Sequence, residues 1–472
     1  MAMRAVFGVA VTFAAVTAMT SLATAQLSEP WACSGGLSPD LEITGCTAAI
    51  QSGKYSNANL SKLYDNRGIA YAAKGDLDRA LADYDQAIEH DIGNGFARNN
   101  RGLAFVAKGD VDRAIIDYTE AIRVNPRLAV AYQNRGNAWK TKGDLDHAIA
   151  DLDQAIGLDP KPAGLYNGRG AVYAAKGDHD RAIADYTEAI RHDLRYAFAY
   201  NNRGLAYAAK GDHDRAIADY DEAIRLNQTY AAAYDNRGAA YDAKGDRDRA
   251  IADYDQAIWL DSKFAVAYRD RGYAWKAKGD VDRAIADYDR AIQLDPKFAA
   301  AYTSRGNAYD AKGDLDRAIA DYTEAIRLAP KDAVAYRNRG REFGAKRDHD
   351  RAIADYDQAI QLDPKNTAAY IDRGNVYDVK GDRDRAIADY TEAIRLDPKF
   401  AVAYRNRARE YGLARDYDHA IADYDQAIQL DPKNAAAYRN RGRAYAAKGD
   451  RTRAKADDDE ANRLDPKNAT RP

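Results

Sequence analysis

An all-α chain assembled from one short repeated unit is the fold the sequence predicts. Three observations carry that reading. The dipeptide Arg-Gly recurs at Arg67-Gly68, Arg101-Gly102 and Arg135-Gly136, and on to Arg441-Gly442, with a constant step of 34 residues. Within each step the apolar and aromatic positions are spaced by three, four and seven, which places them on one helix face. The chain of 472 residues holds 34 Tyr against 9 Phe, the kind of skew that copying a short unit produces. Twelve units tile residues 61–468 without insertion or deletion, and Ala408 replaces the glycine once. A fixed period of this length means stacked units in a solenoid, not separate globular domains.

Residues 1–25 precede the array and read as an export signal. Arg4 gives a positive start, Ala5 to Met19 are apolar or small, and Ala23-Thr24-Ala25 is a small-x-small cleavage site. Cleavage starts the mature chain near Gln26, in the periplasm or outside the cell. No Cys follows directly, which argues against a lipid anchor, and no later segment is long and apolar enough for stable membrane insertion. Residues 26–60 carry the only two cysteines, Cys33 and Cys46. In an oxidising compartment they are expected to form a disulfide, and two thiols with no nearby His make poor zinc ligands. Leu41 to Ile50 has the pattern of a lone second helix, able to cover the first full unit, with Trp31 as further packing.

The sixth unit, 231–264, serves as the type. Tyr234, Gly238 and Tyr241 stand at positions 4, 8 and 11; Ala250, Tyr254, Ala257 and Ile258 stand at 20, 24, 27 and 28. Lys244-Gly245-Asp246 separates the two stripes: Gly245 suits a left-handed helix end and Asp246 caps the next helix. Eight units carry Pro at position 32, which stops the second helix. Positions 4, 11 and 24 hold 29 of the 34 tyrosines. An aromatic stripe at helical spacing is expected to fill the seams between helices that Gly and Ala bring close, not to form a cofactor platform.

This pattern resembles the tetratricopeptide repeat, a 34-residue helix-turn-helix unit, across twelve copies in phase. The resemblance implies a right-handed α-solenoid whose first helices line a concave groove. One departure is systematic: each unit has Arg at position 7, where the family usually has Leu. Each unit also has Asp at position 23, as in Arg237 with Asp253, so a repeated structural ion pair is expected.

The resemblance places positions 2, 5, 6, 9, 12 and 13 toward the groove, and these vary. Early units present Asn99 with Leu103 and Asn201 with Leu205, besides Ile69 and Ala171 at position 9. Late units present Arg337 with Arg341, Arg405 with Arg409, and Arg439 with Arg443. No acid stands at positions 5, 9 or 12 of the last two units, so their four arginines are a candidate anion site, with Glu410 and Asp416 in partial compensation. Asp242, Lys276 and Asp310 share position 12 in successive units and are expected to form an ion ladder. At the far end Lys455, Asp458 and Asn462 replace the apolar outward stripe of the last helix, a polar cap. Residues 469–472 are a short tail.

Charge and motif content exclude several functions. Lys and Arg number 70 against 73 Asp and Glu, a net charge of −3, so nucleic-acid binding by bulk positive charge is not expected. The seven His sit at the ends of second helices, with no nucleophile at a recurring offset, no phosphate loop and no zinc spacing. No metal, cofactor or enzymatic activity is expected. The function expected is a non-catalytic exported scaffold that holds an extended peptide or partner protein in its groove. The alternative is a binder of an anionic envelope polymer, such as an acidic polysaccharide, through the late arginines.

Overall fold

The computed structural model describes residue 33 and residues 35–466. The expected leader, Trp31 and the short tail lie outside them. The described residues contain 25 α-helices and no strand. One N-terminal helix, Pro39–Gln51, is followed by twelve helical hairpins. The hairpins fall into two compact units, divided between Thr229 and Tyr230. The first unit holds the N-terminal helix and repeats 1–5. The second holds repeats 6–12. Repeat 1 is counted from Ser61, and each repeat spans 34 residues.

The local chemistry of the turn builds each hairpin. In repeat 6 the first helix is Ala231–Ala243 and the second is Arg247–Leu260. Gly245 takes φ 82° between them. Only glycine enters that region freely, and Arg347 and Arg415 occupy it at φ 62° in repeats 9 and 11. Asp246 then caps the second helix, its carboxylate accepting from the Arg249 amide at 3.2 Å.

Small residues set the distance between helices. Ala250, Ala257 and Ala267 are fully buried, and the Tyr254 ring lies on Gly238, where a Cβ would stand 2.8 Å from Cε1. First helices of successive repeats also pack on one another within each unit, which gathers them on one face.

The same bidentate pair recurs in all twelve hairpins. In repeat 6 Arg237 Nε and Nη2 donate to Asp253 at 2.8 and 2.7 Å. Elsewhere the third guanidinium nitrogen reaches back one repeat: Arg271 Nη1 donates to Asp255 at 2.5 Å and Arg305 Nη1 to Asp289 at 2.6 Å. One arginine thus clips a hairpin shut and ties it to its neighbour. Removing either partner of such a half-buried pair costs more than the pair contributes against an apolar replacement.

At the N-terminal end Cys33 and Cys46 form a disulfide, buried with Ala49 and Leu63. Arg67 Nη1 donates to Thr47 at 3.0 Å, as its counterparts donate to the preceding second helix. The separation is 20 residues instead of 16, because the first helix of repeat 1 starts early, at Asn57. Pro39–Gln51 therefore stands where the second helix of a preceding repeat would. At the other end Lys455 is exposed on the last helix, Arg451–Leu464, with Asp458 and Asn462 half-buried.

Candidate interaction face

Within each unit, the first helices carry a register that recurs between successive repeats. Position 5 of one repeat meets position 6 of the next, and position 9 or 12 meets position 6 or 9 of the next. In the early repeats this register is filled by amides. Asn134 Nδ2 donates to Asn99 Oδ1 at 2.9 Å, Asn202 to Asn167 at 3.0 Å, and Asn100 to Asp65 at 2.9 Å. Asn99 is 3 % exposed and Asn201 equally buried, so both asparagines work inside the stack instead of offering free amides to a ligand. Leu103 is 45 % exposed, and Leu205 and Ile69 are similar; these are the apolar contacts the early face presents.

In the later repeats the same register carries charge. Arg337 Nε donates to Asp372 at 2.7 Å. Arg341 is held by Asp310 of the repeat before it, and Arg409 by Asp378 in the same way. Beneath these pairs, Asn307 Oδ1 accepts from the Tyr322 hydroxyl at 2.7 Å and from Asn338 at 2.9 Å. Asn375 repeats the arrangement with Tyr390 and Asn406, at 2.9 and 3.0 Å. Two copies of one polar cluster therefore lie two repeats apart. Each includes a buried glutamate, Glu342 or Glu410, where most repeats have Ala at position 10. Burial, with Asp310 adding to it and Arg341 opposing, pushes the Glu342 carboxyl up to about 6.

The last two repeats depart from this scheme. Arg405 stands where Arg337 stands two repeats earlier, but the residue across from it is Asn440 instead of an aspartate. Its guanidinium lies 3.2 and 3.4 Å from Asn406 Oδ1, and it makes no ion pair among the described residues. Arg443 is exposed and, among the described residues, donates only to Asn440, at 3.3 Å. Arg439 is half-buried beside them. Burial pushes the Tyr424 hydroxyl up to about 12, and Arg409, Arg405 and Arg443 pull against it.

Two expectations need correction. The acid that serves Arg409 comes from the preceding repeat, Asp378, which position counts within a repeat do not find. Glu410 lies 3.4 Å from Arg409, and Asp416 is engaged in capping its own helix. The late arginines are thus not one uninterrupted row of free charge. Second, no ion ladder joins Asp242, Lys276 and Asp310 among the described residues: Asp310 holds Arg341, and Asp242 lies 3.7 Å from Arg247.

Sequence reasoning also passed over an acidic station in repeats 6 and 7, where Asp235, Asp242 and Asp270 all act on the Tyr254 hydroxyl. Asp235 faces Asp270 at the rung that holds two amides in the early repeats. Burial, then the Asp270 charge, pushes Asp235 up to about 7 against the pull of Arg269. The step of 35 residues between positions 5 and 6 was the signal that would have found it. No group of three His, Cys, Asp or Glu among the described residues is arranged to hold a metal ion.

Family models agree with the repeat pattern. TPR-repeat models match residues 136–177, 172–211, 272–313 and 416–449. Further tetratricopeptide-repeat models match 197–230 and 299–332, 66–129 and 337–401, and 231–264. No curated protein matches the sequence. Among solved structures, the APC/C hetero-tetramer Cut9–Hcn1 is similar over 91 % of this chain and 90 % of that one, at 14 % identity and a TM-score of 0.46. A tetratricopeptide repeat protein from Parabacteroides merdae is similar over 52 % and 98 %, at 19 % identity and 0.46. YrrB, described as having an unusual peptide-binding site, is similar over 39 % and 95 %, at 21 % identity and 0.33. The repeat pattern, the helical hairpins and the matching models together establish that this chain belongs to the tetratricopeptide-repeat family.

Proposed function

We propose that the protein is an exported, non-catalytic scaffold that binds an extended segment of a partner protein along the face of its first helices. The leader pattern and the Cys33–Cys46 disulfide support an oxidising compartment, periplasmic or extracellular. The family supports a protein-interaction role. The observation that carries the reading is the contrast at one register position: Arg337 holds Asp372, whereas Arg405 has no acid and faces Asn440. A half-buried guanidinium without a carboxylate is a ready contact for one on a partner. Leu103 and Leu205 add apolar contacts in the earlier repeats. Affinity then comes from many modest contacts on a surface already ordered. The pairing of Arg337, Arg341 and Arg409 with internal acids favours discrete contacts over a track for an anionic polymer.

A photocrosslinking residue placed in living cells at Leu103, Leu205 or Arg443 tests this. A common protein partner should be trapped from all three positions. Ile116, exposed on a second helix, should trap it far less. Equal capture from Ile116, or no protein captured from the three face positions, contradicts the proposal.

A further inference from the structure

In repeats 8–9 and 10–11 the aspartate at position 12 receives an arginine from position 9 of the following repeat. Asp310 takes Arg341, and Asp378 takes Arg409. Asp242 is the position-12 aspartate of repeat 6, and the same step of 31 residues leads to Tyr273. The guanidinium that the two later aspartates receive from within the chain is missing here. Asp242 Oδ1 is buried and without a hydrogen bond, its nearest cation being Arg247 Nε at 3.7 Å. Lys276, one turn from Tyr273, makes no ion pair with it among the described residues.

A second observation marks the same place. Asp235 is 5 % exposed, and its Oδ1 is buried with no hydrogen-bond partner. A buried carboxylate oxygen left unpaired costs about 1–3 kcal/mol, so one without a partner calls for an account. Asp270 is coupled to both: it raises Asp235, and Asp242 in turn raises Asp270. Its own charge is answered by Arg269, 2.5 Å away. Three carboxyls are therefore faced by one close arginine, Arg269 on Asp270, and by Arg247 at 3.7 Å from Asp242. Beside them Tyr273 exposes 59 % of its surface, an aromatic face at the edge of the acidic station.

We infer that this station receives an arginine side chain of the partner, its guanidinium on Asp242 in the place Arg341 and Arg409 take on Asp310 and Asp378, stacked against Tyr273. Asp270 supplies the remaining negative field. Guanidinium suits the station better than ammonium because it is planar, donates in a fork and stacks on aromatic rings. With Arg405 in repeat 11, the second unit then offers a carboxylate-deficient station and a guanidinium-deficient one. A segment carrying both a basic and an acidic residue satisfies both. This rests on the first-helix face being the binding surface, but its test needs no natural partner.

The probe is Nα-acetyl-arginine amide, titrated into the whole protein and followed by saturation-transfer NMR on the ligand. Nα-acetyl-citrulline amide, its neutral isostere, is the control. The arginine amide should show saturable binding, and the citrulline amide none above background. Asp242→Asn and Tyr273→Arg should each weaken binding by about tenfold or more. Tyr273→Arg does so by completing the rung internally, and its melting temperature should not fall, since Arg341 and Arg409 already occupy that position. Asp384→Asn, at an exposed acid elsewhere, should leave binding unchanged. Equal binding of the two amides, retained binding in Tyr273→Arg, or equal loss in Asp384→Asn overturns the inference. Failure here leaves the groove reading standing, which falls only with the crosslinking result.

Discussion

Repeats 9 and 11 are near copies that do different work. Both carry Arg at positions 5 and 9, a buried Glu at position 10, and Arg in the left-handed turn. In both, the position-9 arginine is held by an aspartate of the repeat before. They part at position 5. Arg337 is neutralised by Asp372, and Arg405 meets Asn440. The lesson is that a residue's role in a repeat array is set by the rung it belongs to, not by its own identity. The same arginine is paired with an acid in one repeat and makes no ion pair among the described residues two repeats later.

Substitutions at this rung separate the two roles. Arg337→Ser leaves the half-buried Asp372 without its hydrogen-bonded cation and should cost about 2 kcal/mol, read from the urea midpoint. Arg405→Ser orphans no acid and should change stability by less than about 0.5 kcal/mol while reducing partner crosslinking. Equal destabilisation by the two would erase the distinction.

A pH series sharpens the comparison at the rung of two carboxyls, Asp235 with Asp270. Asp235 titrates at about 7 in the folded chain, against an ordinary 3.8. Between those values the folded state keeps a proton that the unfolded chain has released. Its contribution is therefore most favourable below pH 3.8, declines as pH rises to about 7, and is flat above. Asp235→Asn should remove that decline and raise stability at pH 8 by about 1–2 kcal/mol. Denaturant titrations of the two proteins at pH 5 and pH 8 give the comparison, and parallel slopes would refute the assignment.

Smaller effects complete the series. Asn440→Asp restores at repeats 11–12 the pair found at 9–10, and should add about 0.5–1 kcal/mol to the thermal stability of the second unit. Arg347→Gly and Arg415→Gly relieve the left-handed backbone at equivalent places, and should each add about 0.5–1 kcal/mol, alike in the two repeats.

Much of this fold is legible in the sequence because the repeat is exact in length. Gly245, Asp246 and the Tyr254–Gly238 contact follow from spacing alone, and twelve copies average away local noise. The displaced N-terminal half-repeat was also readable, since Cys46 and Ala49 keep the spacing of positions 24 and 27. The interaction face was less legible. Asn99 and Asn201 sit at groove positions yet are buried, Asn99 beneath an amide from the next repeat, Asn134. For Arg409 the sequence offers Glu410 and Asp416 as partial compensation, and Asp378 is missed because it lies one repeat back. Such partners are set by the offset between neighbouring first helices, which no single repeat contains. Once the offsets of 31 and 35 residues are known, the exceptions at Asn440 and Tyr273 stand out in the plain sequence.

The most direct test joins the crosslinker at position 443 with Asn440→Asp in the same exported protein. The partner trapped in the wild-type background should be lost once the introduced carboxylate engages Arg405 from within, although the protein becomes no less stable. Undiminished trapping would mean that Arg405 was never waiting for an outside carboxylate.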